Sequence, residues 1–249
     1  MTTINGKKAD RFSDKIVRSV VIAVAFGLVF QTGISSSTTP TNGKLAAPPD
    51  FTGVYQLVSN NANLPAGLKN TGSPEEIPLQ PFAVASEKTV DLEQDGAKIC
   101  VPIGPFRMMA WPRNKIELLT SPGRITMLFE NIALGHERIF YLDRLHDPKL
   151  RPLWNGDSVG HWEGDTLLVD TTNFNGSTWL NGNGAQHSDS LHLVERYRLV
   201  GDRKYLEVNV MIEDSKVLTT PYSYRRYYER VETEIQEDFC TDDLINKRD

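Results

Sequence analysis

The chain has 249 residues, of which 39% are hydrophobic and 24% are charged. This composition is that of a globular protein and excludes an intrinsically disordered or collagen-like chain. The 27 Lys and Arg residues are outnumbered by 32 Asp and Glu residues, the formal net charge is -5, and no long basic run is present. Nucleic acid is therefore not an expected partner, because binding it needs clustered cations that neutralise phosphates.

The N-terminal segment has the order of a secretory signal peptide. Five basic residues precede an unbroken apolar run of eleven residues, Val20 to Phe30, and small and polar residues follow it. A membrane span needs about 20 apolar residues, so this run better suits the core of a cleaved signal. We predict a signal peptide over residues 1–35, the alternative being an uncleaved membrane anchor, and a periplasmic or otherwise extracytoplasmic location. Contact with a membrane is expected only through this segment.

The rest of the chain reads as a linker followed by one domain. Residues 36–50 carry three prolines and little apolar material, which is typical of a disordered linker. Residues 51–249 form the predicted domain. Its two cysteines, Cys100 and Cys240, suggest one disulfide in an oxidising compartment, the alternative being two unpaired buried thiols.

The hydrophobic pattern of the domain has a period of two residues, which indicates strands, and no convincing amphipathic helix is found. Turn residues such as Ser121-Pro122-Gly123, Glu163-Gly164-Asp165 and Gly201-Asp202 separate neighbouring strands. We predict an all-β fold, an antiparallel meander of about ten strands that forms a closed or nearly closed barrel with long loops at one end. The predicted strands are 53–57, 88–92, 115–120, 124–130, 138–142, 158–162, 166–172, 191–200, 204–213 and 222–232.

Histidines and tryptophans concentrate in one part of the sequence. All five histidines and three of the four tryptophans lie between positions 136 and 192, which also contain the strand-poor stretches 143–157 and 173–190. Long loops in compact domains are often functional, so the candidate site is placed here. The alternative is that these residues merely cover one end of the barrel. The residues are His136, His146, His161, His187, His192, Trp154, Trp162 and Trp179.

Two charges occur on otherwise apolar strand faces. Glu195 shares a face with Leu193 and Tyr197, and Arg138 shares one with Phe140. Because an unpaired charge in an apolar interior is costly, each is expected to bind either the other or a polar ligand. Asp170 is a weaker case of the same pattern.

Acid–base chemistry is suggested by Asp143 and His146, which follow the arginine strand where the chain enters a loop. A histidine oriented by a carboxylate can move a proton near neutral pH. No His-Glu-x-x-His or His-x-His spacing and no Gly-x-Ser-x-Gly elbow occurs, so we predict neither a metal site nor a serine nucleophile. No organic cofactor is expected.

The stretch from His136 to Asp143, then His146, then the stretch from Pro152 to Thr171 resembles a large family of secreted bacterial proteins of mostly uncharacterised function. The core of the resemblance is Gly160-His161-Trp162-Glu163-Gly164-Asp165-Thr166-Leu167, a Gly-x-Trp-Glu-Gly-Asp-Thr-Leu motif, and the likeness covers roughly residues 97–240. It implies an exported β-rich domain similar to lipocalin-like barrels and supports the pairing of Cys100 with Cys240, but it implies no reaction. The run from Tyr141 to Pro148 departs from the family's Tyr-x-Asp-Gly-Arg-x-His-Pro pattern, so no role is carried over to Arg144.

Two functions remain open from the sequence. The first is a periplasmic, cofactor-independent lyase, isomerase or hydrolase that acts by general acid–base chemistry on a small, partly apolar or aromatic molecule. In it His146 oriented by Asp143, or else His187, moves the proton, Arg138 holds an anionic group, and Glu195 orients Arg138 or is the acid. The pocket is expected to be lined by Tyr141, Trp154, Trp179 and His192.

The second function is a non-catalytic, lipocalin-like carrier that binds an apolar ligand in the same cavity. Here the inward charges only satisfy the polar end of the ligand. A purely structural envelope protein with a filled barrel is a third possibility.

Overall fold

The computed structural model describes residues 47–111, 115–130 and 137–236. The predicted signal peptide, most of the predicted linker, His136 and Cys240 lie outside the described residues. The predictions that concern them, including the disulfide between Cys100 and Cys240, therefore stay predictions.

Nine strands form a closed barrel among the described residues. Each strand pairs with the next along the chain, and the last strand pairs with the first through Val54–Val231 and Leu57–Tyr228, so no open edge is left. The all-β barrel is thereby confirmed. The strands are β1 (Gly53–Leu57), β2 (Lys115–Ser121), β3 (Arg124–Phe129), β4 (Glu137–Leu142), β5 (Asp157–Glu163), β6 (Thr166–Thr172), β7 (His192–Val200), β8 (Tyr205–Glu213) and β9 (Tyr222–Val231).

The predicted hairpins are present with their predicted turns. Ser121 pairs with Arg124, Glu163 pairs with Thr166, and Val200 pairs with Tyr205 at the three tight ends. Gly164 has a φ of 66°, a left-handed conformation that glycine adopts without steric cost. The turn residues therefore determine the antiparallel pairing of β2 with β3, β5 with β6 and β7 with β8.

The antiparallel meander is interrupted once, which corrects the prediction. Strands β4 and β5 run parallel, with Phe140 opposite Ser158 and Leu142 opposite Gly160. A parallel pair cannot be closed by a tight turn, because the chain must first return along the length of the strand. Residues 143–156 provide this return and are called the crossover below.

The segment before β2 contains short helices, where the sequence predicted a strand. Residues 88–92 lie in a turn and at the start of a 3-10 helix, so this predicted strand is absent. Asp91 accepts a hydrogen bond from the backbone N–H of Glu93, which satisfies a donor at the helix start and favours the turn over a strand. The α-helices are α1 (Pro81–Glu87), α2 (Gly96–Ile99) and α3 (Pro105–Met108), and the 3-10 helices are Asn61–Asn63, Pro74–Glu76 and Leu92–Gln94.

None of the helices in the part of the chain that the structure describes has the length and hydropathy that a membrane span requires.

Large side chains fill the interior of the barrel. Tyr55, Phe140, Tyr197, Tyr224 and Tyr228 are all at most 2% exposed. The buried tyrosine hydroxyls have hydrogen-bond partners. Tyr55 donates to the carbonyl of Phe51 at 2.9 Å, and Tyr228 donates to the carbonyl of Met109 at 2.8 Å. Each buried aromatic ring contributes roughly 1.5–3 kcal/mol by leaving water. The barrel interior is therefore filled by these side chains, whereas a barrel that binds its ligand inside has an internal cavity.

Candidate functional site

Arg138 and Glu195 form a closed ion pair inside the barrel. The two Nη atoms of Arg138 donate to the two carboxylate oxygens of Glu195 at 2.9 and 2.6 Å. The Tyr197 hydroxyl donates to Glu195 Oε1 at 2.8 Å, and the hydroxyls of Ser158 and Thr171 lie 3.4 and 3.5 Å from Arg138 Nη2. The side chains of the pair are 1% and 0% exposed. The sequence predicted that Arg138 and Glu195 each bind either the other or a polar ligand. The structure shows that they bind each other.

The surroundings of this pair keep Arg138 charged. Burial alone would lower the pKa of Arg138, but the Glu195 carboxylate outweighs burial and raises the pKa above its usual value. Burial, reinforced by the same carboxylate, holds the pKa of Tyr197 well above its ordinary range. Arg138 therefore holds an internal carboxylate, and that carboxylate accepts hydrogen bonds from Arg138 and Tyr197. The geometry places Glu195 where it orients Arg138, which is one of its two predicted roles, and Glu195 occupies the position on Arg138 where a ligand anion was predicted.

His146 lies between two carboxylates, neither of which is that of Asp143. Its Nδ1 is 3.1 Å from Asp157 Oδ2 and its Nε2 is 2.9 Å from Asp170 Oδ1. Asp143 is exposed and has a φ of 55° at the point where the chain leaves β4. The predicted Asp143–His146 pair is thus wrong, because the turn directs the chain away and brings the histidine to the ends of β5 and β6.

The contacts continue across the outer face of the sheet. Asp170 Oδ2 lies 2.7 Å from His192 Nε2, and His192 Nδ1 lies 3.6 Å from Glu213 Oε2. Asp170 and His192 are each about one third exposed, while their strand neighbours Val169 and Leu193 are buried. Asp170 faces outward, which corrects its assignment to an inward row. His192 belongs to this surface network and not to the cavity described below.

His187 occupies a separate, buried position. Its Nε2 lies 2.9 Å from the Thr178 hydroxyl, and its Nδ1 lies 2.9 Å from the carbonyl oxygen of Ser188. The carbonyl can only accept, so Nδ1 carries the proton and Nε2 accepts from Thr178. Burial lowers the pKa of His187, partly offset by the Ser188 carbonyl and Asp214. Both ring nitrogens have hydrogen-bond partners in the surrounding loop, and His187 does not line the cavity described below, so its role as a proton carrier stays a prediction.

Trp179 lies near His187 in the chain and lines a space of only about 10 Å³. Such a space holds at most one water molecule. The prediction that Trp179 lines a ligand pocket together with Trp154 is wrong, because Trp154 lines a different cavity.

A cavity of about 640 Å³, here called the crossover cleft, lies between β4, the start of β5 and the crossover. Among the described residues, β4 pairs with β5 only from Phe140 to Leu142, so the first half of β4 has no β5 neighbour. The cleft opens at this gap. It includes the predicted ligand residues Tyr141 and Trp154, each 37% exposed. Its other apolar lining residues are Pro102, Ile139, Leu150 and Leu153, and its polar ones are Glu137, Arg138, Arg144, Asp147, Asn155, Asp157 and Ser158.

The crossover is held in place by contacts at both of its ends. Near its start, Arg144 forms an ion pair with the buried Asp157, and the guanidinium carbon lies 4.0 Å from the centre of the Tyr141 ring. Near its end, the Asn173 side chain donates to the carbonyl of Leu150 at 3.0 Å, and the Leu153 N–H donates to the Asn173 carbonyl at 3.0 Å. The cleft wall is therefore preformed.

Three side chains that line the cleft carry a buried polar atom without a hydrogen bond. These atoms are Arg138 Nε, Arg144 Nε and Asn155 Oδ1, and no other buried side-chain nitrogen or oxygen of the described residues lacks a partner. Each of these atoms has almost no accessible surface, so they lie within the wall of the cleft and do not open onto it.

Sequence reasoning missed the residues that organise this region: Asp157, Asn155 and Arg144. Asp157 accepts hydrogen bonds from Arg144 and from the backbone N–H of Asp147 at 3.2 Å, and it also contacts His146. It begins β5 directly after Gly156, whose φ is 70°. The run Asn155-Gly156-Asp157 predicts a turn from the sequence. The sequence does not predict that Asp157 contacts Arg144 and His146.

No family model matches the chain, and no curated protein matches it either. Among the described residues, no group of three or more His, Cys, Asp or Glu side chains is arranged to hold a metal ion.

Proposed function

We propose that this protein binds a small, partly apolar molecule in the crossover cleft. The observation that carries the proposal is a preformed cavity of about 640 Å³ whose walls are partly apolar and aromatic and carry a few polar side chains. Pockets for small molecules have this size and combine apolar walls with a few polar groups. The binding site thus lies beside the barrel, whereas the barrel interior is occupied by its own aromatic rings.

The walls suit a flat or aromatic body. Trp154 and Tyr141 line the cleft together with Leu150 and Leu153 from the crossover. Leu145, near the start of the crossover, is 89% exposed and adds apolar surface close to Tyr141 in the chain. Aromatic faces and leucine side chains stabilise a bound ring by removing its surface from water.

Titration with the neutral dye Nile red tests the proposal, because its fluorescence rises on entry into an apolar site. We expect saturable binding at one site per chain, and about tenfold weaker binding by Trp154→Ala, which removes an aromatic wall. Leu119→Ala is the matched control, since Leu119 lies on β2 outside the cleft and is 38% exposed, like Trp154 at 37%. Unchanged binding by Trp154→Ala would place the ligand elsewhere.

Acid–base catalysis on the bound molecule is a second candidate function, and one contact favours it. Asp157 lines the cleft, and its Oδ2 lies 3.1 Å from Nδ1 of His146, which in turn contacts Asp170. A proton can pass between the cleft and the surface along such a chain of groups. The reaction would be that of a lyase, isomerase or hydrolase.

Incubation of each bound compound with the protein, followed by mass spectrometry, separates this function from simple binding. For a catalyst we expect product formation that is lost in His146→Gln while the dissociation constant changes less than threefold. His161→Gln is the matched control, because His161 is exposed and contacts Glu163 outside the cleft. Product formed equally by His146→Gln would exclude the proposed proton path.

The location of the protein is part of the proposal. The basic residues and apolar run before position 35 support export to the periplasm, where a carrier meets small molecules from outside the cell. Cell fractionation of the full chain tests this, and retention in the cytoplasm would contradict it.

A further inference from the structure

We infer that the chain has a second ligand site, which binds a small zwitterion that carries both a carboxylate and an ammonium group, such as a free amino acid. The site is a cavity of about 450 Å³ between β9, α3 and the loop that contains Gly182, and it is called the α3 cavity below. Its volume is that of a small-molecule pocket, and it shares no lining residue with the crossover cleft. The inference is therefore independent of the proposed function.

Arg226 brings an accessible positive charge to the α3 cavity. It lies two residues after Tyr224 on β9, and its guanidinium carbon is 4.7 Å from the centre of the Tyr224 ring. Its Nη1 donates to the carbonyl oxygens of Thr71 and Arg225 at 3.0 and 2.8 Å, which are neutral acceptors. Its Nε and Nη2 donate to no described residue, and neither is among the buried atoms that lack a partner. Both N–H groups are therefore accessible to a ligand in the cavity that Arg226 lines.

Glu75 brings the opposite charge from the 3-10 helix Pro74–Glu76. Its side chain is exposed, and its Oε2 accepts a hydrogen bond from the Ser73 hydroxyl. A Cβ added at Gly182 would lie 3.7 Å from Glu75 Oε1 and 4.0 Å from Arg107 Nη2. The space above Gly182 is therefore open, and the Glu75 carboxylate lies at its edge.

The second arginine of the α3 cavity already has its counter-ion. Arg107 donates through both Nη atoms to the two carboxylate oxygens of Asp95 at 2.8 and 2.7 Å, and both residues are buried. Its guanidinium carbon lies 5.4 Å from the centre of the Trp111 ring, which is half-buried and lines the cavity. Among the described lining residues, the cavity thus keeps one free positive charge, one free negative charge and an aromatic wall.

This set of charges favours a zwitterion. A ligand with only a carboxylate can bind Arg226 but shares the cavity with the like charge of Glu75, and a ligand with only an ammonium can bind Glu75 but meets the like charge of Arg226. A molecule that carries both groups forms a charge-assisted hydrogen bond with each side chain. The ring of Trp111 removes an apolar side chain of the ligand from water. An amino acid with an aromatic or aliphatic side chain meets all three requirements.

Isothermal titration calorimetry with three compounds that share a phenyl ring tests the inference. The probes are L-phenylalanine, 3-phenylpropanoate and 2-phenylethylamine, titrated into the purified chain at pH 7. We expect L-phenylalanine to bind at least about tenfold more tightly than the other two, because each of them lacks one charge-assisted hydrogen bond. If either binds as tightly as L-phenylalanine, the inference is overturned.

A charge variant measures the contribution of the carboxylate. Glu75→Gln is expected to weaken L-phenylalanine about tenfold and to strengthen 3-phenylpropanoate several-fold, since the like charge is removed. Glu76→Gln is the matched control, because Glu76 is exposed on the same 3-10 helix, contacts the Tyr222 hydroxyl and does not line the cavity. Equal binding of L-phenylalanine by both variants would contradict the role of Glu75.

A space-filling variant locates the ligand. Gly182→Val is expected to abolish the binding of L-phenylalanine with an unchanged unfolding temperature, because the added Cβ meets no atom closer than 3.7 Å. Trp154→Ala, in the crossover cleft, should leave this binding unchanged. Binding that survives Gly182→Val and is lost in Trp154→Ala would overturn the inference and leave the proposed function standing. Failure of L-phenylalanine, L-leucine and L-tryptophan to bind the wild type would also overturn it.

Discussion

Arg138 and Glu195 show, at the scale of single residues, how the barrel interior accommodates two charges. The pair is bidentate, and Tyr197 supplies a further donor to the carboxylate. Such a pair adds little net stability compared with apolar residues of the same size, but breaking it leaves a buried charge without a partner. The sequence shows that each charge lies on an apolar strand face and needs a partner. Only the fold shows that the partner of Arg138 is Glu195.

Glu195→Leu is expected to lower the free energy of unfolding by about 3–5 kcal/mol, because Arg138 then stays buried without its counter-ion. Urea denaturation followed by circular dichroism measures the change. Glu163→Leu is the control, since the Glu163–Arg196 pair is exposed on both sides and its loss should have little measurable effect. An equally small loss for Glu195→Leu would contradict the role of the pair.

His187 should make stability depend on pH near neutrality. Burial lowers its pKa in the folded state from an ordinary value of 6.5, so below that value the unfolded chain binds a proton that the folded chain does not. The contribution of His187 to stability is present at higher pH and is lost as pH falls below 6.5, by at most about 1.4 kcal/mol per pH unit.

Urea titrations at several pH values between pH 5 and 8, carried out on the wild type and on His187→Gln, isolate this contribution. We expect the wild type to lose more stability than the variant on acidification. His161→Gln serves as the comparison, because it replaces an exposed histidine in place of the buried His187. Identical slopes for wild type and His187→Gln would contradict the buried neutral histidine.

At the scale of elements, the crossover decides where the site is. It makes β5 parallel to β4, leaves half of β4 without a β5 neighbour, and brings Leu150 and Leu153 over the gap. Its junction with β5 is Gly156, where an added Cβ would lie 2.6 Å from Thr171 Cγ2 and 2.7 Å from the Thr172 carbonyl oxygen. The junction therefore combines a left-handed conformation with a close approach to β6.

Gly156→Ala is expected to destabilise the protein by at least about 2 kcal/mol, the sum of backbone strain and steric overlap. Gly123→Ala is the matched control, because Gly123 has a φ of 75° but its Cβ would meet nothing within 4 Å. It should show only the strain, about 1 kcal/mol. Thermal unfolding of both variants gives the difference, and equal losses would mean that the close approach to β6 is unimportant.

At the scale of the whole molecule, closure of β9 onto β1 leaves the sheet without a free edge. The segment that contains Cys100 lies between β1 and β2 in the chain and contributes the helices that cover interior tyrosines, as in the contact of Phe106 with Tyr224 at 5.0 Å. A link from this segment to the chain after β9 would tie the beginning of the domain to its end.

Reduction of the predicted disulfide between Cys100 and Cys240 is expected to lower the free energy of unfolding by up to about 5 kcal/mol, since the loop that it closes is long. Mass spectrometry under non-reducing conditions, together with thermal unfolding with and without dithiothreitol, measures this. The double variant Cys100→Ser with Cys240→Ser should unfold at the same temperature in both conditions. Two free thiols in the exported protein would disprove the disulfide.

The period-two pattern and the turn residues were sufficient to predict the barrel, all nine strands of the described residues to within one residue at each end, and the long loop at 143–157. They failed at 88–92, where a side chain that caps a helix competes with strand formation. They also failed at Asp143, because closeness in sequence does not make its carboxylate the partner of His146, which contacts Asp157 and Asp170 instead.

By itself, the sequence determined the properties that depend on neighbouring residues: strands, turns, inward and outward faces, and the buried charges that need partners. Only the tertiary structure decided which distant groups meet, such as Arg138 with Glu195 and His146 with Asp157 and Asp170. It also placed the cavity at the parallel junction of β4 and β5 and not inside the barrel. The physical reason is that strand register and the path of the crossover are fixed by packing of the whole barrel, which no local pattern encodes.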